Sequence, residues 1–194
     1  MQEDEGKIQH VRHCVGPGVY GAGVTEQVGM VEEIRTPRLL LRPLRESDRA
    51  RSLEIQLDPR ANRFTPESVT REQAREKFTG WLTHWAHHGF GYFAIIEAET
   101  GEFLGTGGVQ YRDFGGEDVL NLYYRVKPSA WGNGYATEAA TAAVDWAERS
   151  MPDTPVVISV AIGNHASIRV AERLGFTRYS QSLHHGLYSR HYRR

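Results

Sequence analysis

Between residues 120 and 150 the apolar pattern changes period across a glycine turn, and few architectures accommodate that switch. Leu120, Leu122, Tyr124 and Val126 alternate with Asn121, Tyr123 and Arg125, as in a half-buried strand. Pro128, which lacks a backbone donor, ends it. From Ala136 the apolar residues Ala139, Ala140, Ala143, Val144 and Ala147 fall on one face of a helix running to about Ser150, ended by Pro152 and Pro155. A strand handed to a helix through Trp131-Gly132-Asn133-Gly134-Tyr135 predicts a layered α/β domain.

The rest of the chain supplies the other layers. Arg38 to Leu44 reads as a strand, followed by a short helix starting near Ser47-Asp48. Thr70-x-x-Gln73 is a capping box, and Ala74, Phe78, Trp81, Leu82 and Trp85 then mark the apolar face of a helix that stops at Gly89. Tyr92 to Glu97 and Glu102 to Tyr111 form an antiparallel pair joined by Glu99-Thr100-Gly101. Gly105-Thr106-Gly107-Gly108 lies inside this strand pattern and permits a bulge. Val156 to Val160 is a buried strand, Ser167 to Leu174 a short helix closed by Gly175, and Phe176 opens a last β region, giving an α/β sandwich.

The glycine turn carries the first chemical signal. Backbone N–H groups can converge there on a doubly charged pyrophosphate, with the positive end of a helix dipole behind them. Gly132 and Gly134 let the backbone approach without side-chain clash. Thr137 either adds a hydroxyl donor to a phosphate oxygen or satisfies a free backbone group of the first helical turn. Alone, such a turn favours an ordinary hairpin or linker.

A second segment follows the buried strand: Asn164-His165-Ala166-Ser167, then Arg169, then Glu172-Arg173-Leu174-Gly175-Phe176. With Trp131-x-x-Gly134-x-Ala136 it resembles the GNAT acetyltransferase superfamily, although Gln or Arg usually stands where Trp131 does. Together with Thr36-Pro37-Arg38-Leu39-Leu40-Leu41-Arg42, Asn164, Ser167 and Leu174-Gly175-Phe176 look more narrowly like the ribosomal-protein alanine acetyltransferase, or Rim-type, branch. The resemblance covers roughly residues 34 to 194 and implies a mixed, mostly antiparallel central sheet flanked by helices.

It also implies acetyl-CoA as cosubstrate and no metal. The pyrophosphate would sit on Trp131, Gly132, Asn133, Gly134, Tyr135, Ala136 and Thr137. The pantetheine arm would pair with backbone near Tyr124 and Val126 as an added strand, Asn164 would bond its amides, and an N–H there would meet the acetyl carbonyl. Arg169 or Arg173 would meet an adenosine phosphate or remain a solvated helix residue. Many members place a tyrosine seven residues after the Asn to protonate the departing thiolate, a position held here by Ala171. Ser167, where the Rim-type branch commonly has serine, is the implied catalytic residue; it also reads as a helix cap. A coenzyme A thiolate resembles that of cysteine, with a pKa of about 8.5, and leaves readily.

The acceptor would be a primary amine on a protein N-terminus or a small molecule such as an antibiotic, polyamine or amino acid. An α-amine, with a pKa of about 8, loses its proton more easily than a lysine at about 10.4. Glu138 either faces inward as a relay or complements the helix dipole. Asp113, Glu117 and Asp118, beside Gly115-Gly116, either line a groove for a cationic acceptor or form a solvated loop. A non-catalytic acyl-CoA sensor is the competing class, because Ala171 removes the usual acid and no base is evident.

Composition narrows the setting. The 194 residues suit one α/β domain plus a tail, and a net charge of -1 offers no global attraction to nucleic acid. A single cysteine, Cys14, rules out an internal disulfide framework and fits a reducing, cytoplasmic setting. No apolar run spans a bilayer, and self-association as a homodimer is left open. Residues 1–33 read as a flexible, glycine-containing extension, and a translation start at Met30 would leave the domain whole. His84 and His88 lack a third metal ligand at helical spacing and read as surface histidines.

Overall fold

Thr70 starts the longest helix as its spacing with Gln73 predicts: the Thr70 hydroxyl accepts from the Gln73 N–H at 3.1 Å, and the Gln73 side chain accepts from the Thr70 N–H at 2.9 Å. The computed structural model describes residues 33–65, 68–184 and 186–194, so the Met30 start, Cys14 and all but the last residue of the N-terminal extension lie outside it. The elements are β1 (Ile34–Arg35), β2 (Leu39–Pro43), a 3-10 turn (Glu46–Asp48), α1 (Arg49–Leu57), α2 (Arg71–His88), β3 (Tyr92–Glu97), β4 (Phe103–Asp113), β5 (Asp118–Val126), a second 3-10 turn (Pro128–Ala130), α3 (Tyr135–Ser150), β6 (Val156–Ala161), α4 (His165–Arg173), β7 (Arg178–His184) and β8 (Leu187–Arg193).

All eight strands form one mixed sheet in the order β1-β2-β3-β4-β5-β6-β8-β7, antiparallel except where β5 meets β6. The last β region is a hairpin rather than one strand, and it returns β8 beside β6. Strand alternation divides the core. Tyr92, Ala94 and Ile96 meet Leu53, Ile55, Ala74, Phe78 and Trp81 of α1 and α2. Facing the other way, Val109, Leu120, Leu122, Ile158 and Val160 meet Ala140, Val144, Ala147, Ile168 and Ala171 of α3 and α4. Burying an aromatic such as Phe78 contributes on the order of 2–3 kcal/mol, so α2 is held by its apolar face more than by propensity.

The bulge expected near Gly105 is present, one residue earlier. Ile95 pairs with Gly105 and Ile96 with Phe103, leaving Leu104 as the extra residue. A side chain at Gly105 would collide with the backbone carbonyl of Arg125, so the β4–β5 approach at this point requires glycine. Among the described residues no helix is long and apolar enough to cross a membrane, and no group of three metal-ligating side chains occurs.

Candidate functional site

The parallel contact that closes the sheet is brief. β5 and β6 pair only at Leu120 with Val156 and Asn121 with Val157, although β5 continues to Val126 and β6 to Ala161. Past these pairs the two strands splay. Lys127 donates to the Leu104 carbonyl and Leu120 to that of Pro155, which fixes the alternation: Tyr124 and Val126 direct backbone groups into the opening. The Val126 carbonyl accepts from the Trp131 indole at 2.7 Å, so the groups left there are the Tyr124 N–H and C=O and the Val126 N–H.

The glycine turn lies at the wide end of this opening and is exposed. Gly134, the N-cap of α3, has φ 79° and Gly132 has φ 83°, left-handed values that side-chain-bearing residues seldom adopt. Glu138 N–H donates to the Gly134 carbonyl as the first helical bond, so the N–H groups of Tyr135, Ala136 and Thr137 have no helical partner, and no side chain caps them. Among the described residues the Thr137 hydroxyl has no partner either, so it does not satisfy the turn. The Asn133 amide folds back toward the Ala130 carbonyl at 3.3 Å.

Arg38 braces the turn from outside. Its Nε donates to Glu138 Oε2 at 2.7 Å, its backbone N–H to Oε1 at 2.9 Å and its Nη1 to the Asn133 carbonyl at 2.9 Å. The guanidinium also lies 4.8 Å over the Tyr135 ring, and the Tyr135 hydroxyl donates to Glu97. The Thr36 hydroxyl donates to Glu138 Oε1 at 2.6 Å. Burial works to raise the Glu138 carboxyl, but Thr36 and Arg38 together hold it below the ordinary glutamate range. Glu138 is therefore tied to the β1–β2 connection by named partners, which goes beyond a general complement to the dipole and does not leave it free as a relay.

Across the opening, α4 begins at His165, two residues before the start its sequence suggests, because Asn164 is the cap: its Oδ1 accepts from the Ser167 N–H at 3.2 Å. The capping role open to Ser167 thus falls to Asn164, and the Ser167 hydroxyl and Asn164 Nδ2 have no hydrogen-bond partner among the described residues. Ala171 is fully buried. A phenol nonetheless reaches this helix end: the Tyr124 hydroxyl donates to the Ser167 carbonyl at 3.3 Å, and burial pushes its pKa up to about 12. Periodicity assigned Tyr124 to a strand but gave no sign of where its hydroxyl would reach.

The opposite face, beneath α1 and α2, is polar around Tyr123. Gln56 Nε2 donates to the Tyr123 hydroxyl at 2.9 Å, Asn121 Nδ2 to the Tyr92 hydroxyl at 2.6 Å, and Arg125 to Asn62. The acidic loop lies at the other end of β5: Glu117 pairs with Arg193 and the Asp113 carboxylate accepts from the Gly116 N–H, so it is engaged with its own loop and with β8. His84 and His88 are half-buried rather than surface residues, stacked with Phe90 and Tyr111. Arg169 and Arg173 are exposed on α4. Taken together, unpaired strand backbone, an uncapped helix start and free hydroxyl and amide groups surround one opening; such a set can hold an extended, amide-containing ligand that ends in an anion.

Residues 38–177 match the family model described as an acetyltransferase (GNAT) domain. The Bacillus subtilis protein YkkB is 30% identical over 149 residues, covering 76% of this chain and 86% of its own. The crystal structure of an acetyltransferase from Agrobacterium tumefaciens superposes with a TM-score of 0.70 at 27% identity, covering 91% of this chain and 99% of that one. The RimL ribosomal L7/L12 α-N-protein acetyltransferase, solved in complex with coenzyme A, shares the fold with a TM-score of 0.67 at 19% identity, over 84% of this chain and 97% of its own.

Proposed function

Because the chain belongs to the GNAT acetyltransferase family, whose reaction is acetyl transfer from acetyl-CoA, we propose that it acetylates a primary α-amine by direct attack within a ternary complex, in the manner of the Rim-type branch. The observation that carries this reading is the splay of β5 from β6, which leaves Tyr124 backbone unpaired beside the uncapped start of α3. Acetyl-CoA supplies a thioester whose carbonyl carbon takes the amine and whose sulfur departs as thiolate. The Tyr124 N–H and C=O and the Val126 N–H receive the pantetheine arm in place of a strand, with Asn164 Nδ2 on an amide carbonyl. The N–H groups of Tyr135, Ala136 and Thr137, with the Thr137 hydroxyl, receive the pyrophosphate; Gly132, Asn133 and Trp131 shape that turn.

The nitrogen–carbon bond forms as the carbon–sulfur bond breaks, and the ammonium proton ends on the thiolate. Two hydroxyls at the start of α4, those of Ser167 and Tyr124, are the donors available to that sulfur. An α-amine fits the acceptor side because Glu138 is held by Arg38, and an amine with a pKa of about 8 is partly neutral at pH 7 without a strong base. The test is coenzyme A release monitored as free thiol with a panel of α-amines and alkylamines, alongside acetyl-CoA binding by calorimetry. Release with α-amines, and loss of binding in Gly134→Glu, support the reading; binding without release on any amine refutes it in favour of a sensor.

A further inference from the structure

Among the described residues, the sheet face beneath α1 holds a cation that no carboxylate answers. Arg125 is half-buried, and its hydrogen bonds among the described residues run from Nη1 to two neutral side-chain oxygens, those of Asn62 and Gln56. Its Nε and Nη2 have no partner there. Lys77 Nζ lies 5.0 Å from the centre of the Tyr123 ring, and the Arg125 guanidinium 6.0 Å from it. Burial raises the Tyr123 phenol, yet Lys77 and Arg125, with the hydrogen bond from Gln56, outweigh it and hold the phenol below its ordinary range, as expected beside two cations. A partly buried guanidinium without a counter-charge is unfavourable unless something anionic completes it, and the free Nε–Nη2 edge is the fork that matches a carboxylate. Arg125 follows Tyr124 on the same strand, so its side chain lies on the face opposite the Tyr124 phenol, one residue from the unpaired backbone.

We propose that Arg125, assisted by Lys77, is an anion subsite for the acceptor, so that the amine acetylated here belongs to a molecule carrying a carboxylate near that amine. This rests on the acetyltransferase reading above. A free amino acid offers such a group as its α-carboxylate; a peptide offers it as an acidic side chain next to its N-terminus.

Binding of product-like ligands tests this without turnover. The protein with coenzyme A is titrated calorimetrically with N-acetylalanine against N-acetylalaninamide, and with amidated N-acetylalanyl-aspartate against its asparagine counterpart. At least one carboxylate ligand is expected to bind about tenfold more tightly than its neutral partner. That preference falls to near unity in Arg125→Gln and partway in Arg125→Lys, with coenzyme A affinity unchanged as the check on folding. If Arg125→Gln does not fold, Lys77→Gln, at an exposed position, must lower the preference severalfold. Which pair shows the preference separates amino acid from peptide. Equal or absent binding in both pairs, or a preference that survives these substitutions, overturns the subsite; failure of the acetyltransferase reading registers separately, as no thiol release from acetyl-CoA.

Discussion

Arg38 and Glu138, 100 residues apart in the chain, meet through both carboxylate oxygens: the Arg38 backbone N–H bonds one and its guanidinium the other. The same guanidinium bonds the Asn133 carbonyl inside the glycine turn. The connection from β1 to β2 therefore sets the position of the turn that α3 begins from.

Removing this brace should loosen the turn without unfolding the domain. Arg38→Ala is expected to weaken acetyl-CoA binding about three- to tenfold, and Arg38→Lys less, because lysine keeps the charge contact to Glu138 while losing the bond to the Asn133 carbonyl. Calorimetric affinities, with thermal melting as control, measure the effect; full affinity in Arg38→Ala would mean that the turn holds its shape unaided.

The two hydroxyls at the start of α4 can be ranked by kinetics. Tyr124→Phe is expected to lower kcat about tenfold with acetyl-CoA affinity changed less than about twofold, and Ser167→Ala to act in the same direction. With its pKa raised to about 12, the Tyr124 phenol stays protonated throughout the neutral range, so kcat should show no alkaline fall due to it below about pH 10. Wild-type kcat in the double variant would show that the thiolate departs without a donor.

His84 makes stability depend on mild acid. Burial, then the neighbouring His88 and His87, lower its pKa to about 4, against about 6.5 in the unfolded chain. Folding therefore favours the neutral ring: the stability it contributes is fully present above pH 6.5 and is lost as pH falls from there toward 4, by about 3 kcal/mol at most. Urea denaturation at pH 7.5 and 5 should show this loss, and His84→Phe should reduce it; identical slopes in the two proteins would assign the acid sensitivity elsewhere.

Gly105→Ala is expected to destabilise the protein by about 1–3 kcal/mol, since the added carbon would push β5 off β4 at the Arg125 carbonyl. The same shift would displace the Tyr124 backbone, so acetyl-CoA affinity should fall together with the urea midpoint. A variant with native stability would show that the sheet yields locally at the Leu104 bulge.

Much of the architecture was readable from local pattern. The period change at Gly132–Gly134, the Thr70–Gln73 box and the alternation in β5 each depend on residues close in sequence, and each recurs in the structure. The splay was not readable from spacing: it depends on how far β5 and β6 run together, which packing of α3 and α4 decides. The Arg38–Glu138 brace joins positions 100 residues apart and the Arg125–Asn62 contact positions 63 apart, beyond any periodicity. The reading of Ser167 as a cap failed for a local reason: the helix starts at His165, so Asn164 is its N-cap and bonds the Ser167 N–H, which puts Ser167 inside the first turn.

The outer strands of the sheet differ as templates for another chain. β1 is only two residues long, whereas β7 runs for seven and exposes Tyr179 and Leu183 among Arg178, Ser180, Gln181 and Ser182. A further open edge lies in the middle, where β5 leaves β6 and its backbone is unpaired. A property that elsewhere leads to aggregation is here turned inward, toward the starts of α3 and α4. Whatever extended molecule lodges there completes the ladder across the two halves of the protein, and so its occupancy and the coherence of the whole sheet should rise and fall together.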